Sequence, residues 1–99
     1  MISIVALILI YSPSSCIPMQ RILIYAPAEI VVKLQEKLRY QYDVEVELLS
    51  NQESMCKIEA KIQGNWHTIC RFAPDENIKD ILTMFKVNYD LKLNKIKKN

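Results

Sequence analysis

Cys56-Lys57-Ile58-Glu59-Ala60-Lys61-Ile62-Gln63-Gly64-Asn65-Trp66-His67-Thr68-Ile69-Cys70-Arg71-Phe72 is the stretch whose reading decides the fold. Its first half alternates strictly, with Cys56, Ile58 and Ala60 on one face and Lys57, Glu59 and Lys61 on the other, the period of a half-buried strand. Its second half has Trp66, Cys70 and Phe72 on one side, so the whole reads as a hairpin around the only glycine of the chain. A three-residue loop Ile62-Gln63-Gly64 places Gly64 in the left-handed position. It also sets Cys56 opposite Cys70 and Glu59 opposite His67. A loop Gln63-Gly64-Asn65 sets Cys56 opposite Phe72 and Lys61 opposite His67. Because the two registers differ by two residues, the inner face is the same in both; the first is preferred, since glycine tolerates positive φ best.

Working outward, Val44-Glu45-Val46-Glu47-Leu48 is another alternating strand, joined to the hairpin by the polar turn Asn51-Gln52-Glu53-Ser54. Before it, Ile30, Val31, Leu34 and Leu38 recur at helical spacing behind Pro27 and Glu29, which suit a first turn; the helix should end near Tyr40. Arg21 to Tyr25 reads as a short strand. After the hairpin, a helix opening at Pro74-Asp75-Glu76 carries the stripe Ile78, Ile81, Leu82, Phe85 and Tyr89. The order is β-α-β-β-β-α. This is an α+β class, a two-layer sandwich with two helices on one face of a mostly antiparallel sheet, with room for an extra N-terminal strand.

Three divisions follow: an apolar N-terminal segment 1–18, a single α+β domain 19–91, and a basic C-terminal tail 92–99, with Leu91 to Asn99 reading as a frayed extension of the last helix or as a last short strand. Ile2 to Tyr11 is too short to span a bilayer, which needs about 20 residues. It reads as a strand, echoed by Leu23-Ile24-Tyr25-Ala26-Pro27 after Leu9-Ile10-Tyr11-Ser12-Pro13, or as the apolar part of a signal peptide. The expected compartment is the cytoplasm, or the exterior if residues 1–16 are cleaved.

Composition excludes several functions. A net charge of +2 over 99 residues gathers no nucleic acid by itself. One glycine cannot build a phosphate-cradling loop, and acidic residues occupy both helix starts, so no cofactor is expected. Cys16, Cys56 and Cys70 show neither C-x-x-C nor zinc spacing and are read as reduced thiols. In a secreted chain, Cys56 and Cys70 would instead be joined. His67 is the only histidine, and three residues separate it from Cys70. In an uninterrupted strand that puts the two on opposite faces, which excludes a Cys–His pair and a metal site. No catalytic or metal residue is assigned, and a non-enzymatic protein is expected.

From Ala28 to Tyr89 the element order α-β-β-β-α is similar to that of double-stranded RNA-binding domains. The likeness is one of order alone, because such domains use a basic cluster where Asp75, Glu76 and Asp80 stand here. What points to a partner is a second stripe on the last helix, Met84, Val87 and Leu91, about opposite the core stripe. It suits an interaction or assembly module, the helix being covered by another protein, by a second copy of the chain, or by the N-terminal segment. A different expectation is weak nucleic-acid binding through Lys92, Lys95, Lys97 and Lys98; another is a small secreted, disulfide-containing protein.

Overall fold

A computed structural model describes residues 19–50 and 55–97. Both the N-terminal segment with Cys16 and the turn at 51–54 lie outside the described residues. Strand β1 (Gln20–Ala26) is followed by helix α1 (Ala28–Leu38), strands β2 (Tyr42–Leu48), β3 (Cys56–Ile62) and β4 (Asn65–Phe72), and helix α2 (Ile78–Lys97). This is the α+β order expected.

The four strands form one sheet in the order β2-β1-β3-β4. β1 runs parallel to β2 and antiparallel to β3, and β3 is antiparallel to β4. A parallel pair needs a crossover, and the 11 residues of α1 supply it. The three strands after α1 are therefore not a simple meander, since β2 and β3 lie on either side of β1.

Ile22, Ile24 and Ala26 of β1 and Cys56, Ile58 and Ala60 of β3 are fully buried under the helices. Helix α1 contributes Ile30, Val31, Leu34 and Leu38, and α2 contributes Ile81, Phe85 and Tyr89. Phe85 stacks on Tyr89 with centroids 5.5 Å apart, and Tyr42 meets both rings edge-on at 5.5 and 5.8 Å. The Tyr89 hydroxyl donates to Gln20 Oε1 at 3.4 Å, tying α2 to the start of β1. Helix α2 begins at Ile78 rather than at Pro74. Asn77 caps it, its Oδ1 accepting from the Lys79 N–H at 2.8 Å. The helix also runs beyond residue 91 to Lys97, because Leu93 and Ile96 continue its apolar stripe against the core.

The hairpin differs from both expected registers. Its loop has two residues, Gln63 (φ 53°) and Gly64 (φ 83°), so that Ile62 pairs with Asn65. Positive φ at both positions is the primed turn whose twist matches the flanking strands. Followed without interruption, that register would set Cys56 opposite Arg71 and turn the guanidinium into the core. A bulge at Ile69 restores the parity: Glu59 pairs with Thr68, but Ile58 pairs with Cys70 and Cys56 with Phe72. The bulge has two consequences. Trp66 leaves the face of Cys70 and Phe72 for the outer face, and His67, opposite the buried Ala60, joins the helix-covered side.

The turn yields a direct prediction. Gly64→Ala should lower stability by about 1–2 kcal/mol, because a Cβ is strained at this φ. Gln63→Asn should raise it by roughly 0.5 kcal/mol, since asparagine tolerates positive φ better than glutamine. Urea denaturation of the three proteins gives both signs.

Candidate functional site

Placement of the cysteines and histidine bears first on chemistry. Cys56 and Cys70 are free, buried thiols. Burial pushes both thiols up, Cys70 to about 11, against a smaller opposing effect of its hydrogen bond with the Ile58 backbone. Nucleophilic thiols need the opposite shift. The expectation that strand parity separates His67 from Cys70 does not hold, because the Ile69 bulge brings both to the inner face. Cys70 is poorly suited to attack for a different reason, its desolvation. Among the described residues no group of three or more His, Cys, Asp or Glu is placed to hold a metal ion. No helix among them is long and apolar enough to cross a membrane.

The stripe on α2 is partly as expected. Val87 is 52% and Leu91 63% exposed, whereas Met84 is half-buried and packs against the core. Asp80 and Lys95 are exposed and continue the same side of the helix at either end. Reading 80, 84, 87, 91 and 95 at 100° per residue keeps all five within about 80° of arc. Leu91, Lys92 and Lys95 also line a cleft of about 190 Å³ against Thr68 and Ile69 of β4. Asn88 helps to form this cleft, its Nδ2 donating to the Ile69 carbonyl at 3.1 Å; the bulge that corrects the strand register also anchors the helix.

Lys92, Lys95 and Lys97 lie in the last turns of α2, so the tail extends the helix and is not a strand. Lys92 and Lys95 share the β4 side. Lys97 lies about 200° round from Lys95, so the helix splits the set rather than gathering it. Lys98 lies outside the described residues.

The outer face of the sheet was not singled out from the sequence. Across it, Tyr25 donates from its hydroxyl to Glu59 Oε1 at 3.2 Å, and Lys57 Nζ lies 3.1 Å from Glu59 Oε2 and 4.6 Å from the Tyr25 ring centroid. Arg21 pairs with Glu45, and its Nε lies 3.9 Å from Asp43. Trp66 sits beside two cations, Arg21 at 6.0 Å and Lys61 at 5.9 Å. On this face β2 presents Asp43, Glu45 and Glu47, whereas β3 and β4 present Lys57, Lys61 and Arg71 around the single carboxylate of Glu59. The signal was the odd-numbered set Arg21, Leu23 and Tyr25 beside the alternating acids and bases.

A further cleft, about 400 Å³, lies between the helices, floored by Leu38 and Leu82 and rimmed by Lys37, Lys79 and Lys86. It adjoins the C-terminal end of α1, whose carbonyl dipoles suit cations and oppose a bound anion. Comparison with protein-family models, with curated proteins and with solved structures finds no match.

The raised thiols set an alkaline limit on stability. An unfolded thiol loses its proton near pH 8.5, while folded Cys70 keeps it to about 11. Between those values folded Cys70 holds a proton that the unfolded thiol has lost, so its contribution to stability, level below about pH 8.5, falls as pH rises. Cys70→Ala should flatten that fall between pH 9 and 10, measured by urea midpoints. An unchanged slope would show that the thiol is not held protonated.

Proposed function

We propose that this protein is a small non-enzymatic interaction module that pairs with a second copy of itself through the outer face of α2. One observation carries the reading: the stripe Asp80, Met84, Val87, Leu91, Lys95 is complementary to its own reverse. Laid antiparallel about a two-fold axis near Val87, Asp80 faces the partner's Lys95, and Met84 faces the partner's Leu91. Such an isologous contact closes on itself, because each pairing occurs twice. The free thiols Cys56 and Cys70 favour a reducing compartment, the cytoplasm, for this activity.

Covering the exposed parts of Val87 and Leu91 contributes roughly 1–2 kcal/mol each, which makes the association weak.

Sedimentation equilibrium should show monomer and dimer exchanging with a Kd of roughly 10–100 µM. Val87→Glu with Leu91→Glu should give monomer throughout, with unchanged circular dichroism. Asp80→Lys should weaken the dimer, and Asp80→Lys combined with Lys95→Asp should recover it. A wild-type chain that stays monomeric at several hundred µM (roughly ten times that Kd) rules the dimer out. Salt-dependent retention on a polyanion, lost with Lys92→Glu and Lys95→Glu, would favour nucleic acid as the partner instead.

A further inference from the structure

Strand β2 stands last in the sheet, so one side of its backbone has no strand partner among the described residues. Which groups that side presents follows from one hydrogen bond. The Leu49 N–H donates to the Ala26 carbonyl at 3.0 Å. Backbone groups of successive strand residues point to opposite sides, so Asp43, Glu45 and Glu47 also direct theirs at β1. The N–H and C=O groups of Tyr42, Val44, Val46 and Leu48 therefore point away from the sheet. No bulge interrupts the β1–β2 register over its seven residue pairs, whereas the other edge, β4, is broken at Ile69. A cleft of about 490 Å³, formed in part by Gln35, Tyr42 and Val44, runs between α1 and the start of this edge.

The side chains define what could pair there. On the outer face Asp43, Glu45 and Glu47 are exposed and recur about every 7 Å. Arg21 serves Glu45 and Asp43 together, and Glu47 has no cation within 4 Å among the described residues. On the helix side Val46 is 38% and Leu48 59% exposed. A second copy fits badly. Antiparallel self-pairing about Glu45 would put it opposite its own copy and Asp43 opposite the copy's Glu47, like charges face to face. A nucleic acid would meet the same carboxylates.

We propose that the free edge of β2 takes up, as an added strand, an extended segment of another protein in which Lys or Arg alternates with apolar residues. The main-chain groups of Val44 and Val46 supply the ladder. The three carboxylates read the basic side chains, and Val46 with Leu48 receives the apolar ones. This surface is separate from the α2 stripe and does not depend on it.

A blocked heptapeptide, Lys-Val-Lys-Val-Lys-Val-Lys, titrated into the ¹⁵N-labelled full chain tests this. Saturable shifts should centre on the amides of Val44, Val46 and Leu48. The peptide with Glu for each Lys should not bind. Of two N-methylated versions, one blocked on the valines and one on the lysines, at least one should bind ten-fold or more weakly, because one of those sets donates to β2. Asp43→Lys with Glu47→Lys should lower affinity at least ten-fold, while Val87→Glu with Leu91→Glu leaves it unchanged. Three results overturn the proposal: no saturation below about 1 mM, shifts centred elsewhere, or both N-methylated peptides binding as tightly as the parent peptide.

Discussion

Strand β1 is the constraint on which the rest depends. It is the one strand that carries both a parallel and an antiparallel partner, and its inner residues Ile22, Ile24 and Ala26 are fully buried. The parallel pairing requires α1 as a crossover, which fixes one helix over the sheet. The antiparallel pairing fixes β3, the turn at Gln63-Gly64 then fixes β4, and β4 delivers the chain to α2. Because β1 is central, β2 and β4 become the two edges. Which surfaces are left open is thus decided by the pairing of seven residues.

The Ile69 bulge is the second decision. A two-residue turn and an inward Phe72 are incompatible in an uninterrupted ladder, and inserting one residue reconciles them. The price is a broken edge on β4, which blunts that side against strand addition. β2 has no such interruption. Along it Asp43, Glu45 and Glu47 form a row of carboxylates that repels like edges. The same arrangement leaves α2 covered on the side of Phe85 and Tyr89 and open at Val87 and Leu91. The thiols of Cys56 and Cys70, by contrast, are buried and held protonated.

Much of the layout was legible from alternation and helical spacing, because burial enforces both. Ile58 and Ala60, Leu34 and Leu38, and Phe85 and Tyr89 all lie in the core, as their periods indicate. The extension of α2 was legible too, since Leu93 and Ile96 keep the period of Phe85 and Tyr89, though the lysines between them resemble a tail. The bulge was not legible. Nothing in His67-Thr68-Ile69-Cys70 marks an extra residue, so a parity argument carried Trp66 and His67 to the wrong faces. Nor does alternation reveal which strand neighbours which, and so the free edge of β2 emerged only from the sheet order. Of the residues singled out for partners, Val87 and Leu91 are exposed, whereas Met84 sits where the apolar stripe meets the core.

Hydrogen exchange followed residue by residue in the full chain at low micromolar concentration tests the central role of β1 most directly. Slowest exchange should fall in Ile22 to Tyr25 and the facing residues Lys57 to Ala60, opening only with global unfolding. In β2 protection should alternate: slow at Glu45 and Glu47, whose amides face β1, and fast at Val44 and Val46, whose amides face outward. Equal protection at all four β2 amides, or slowest exchange in β4 instead of β1, would contradict this account.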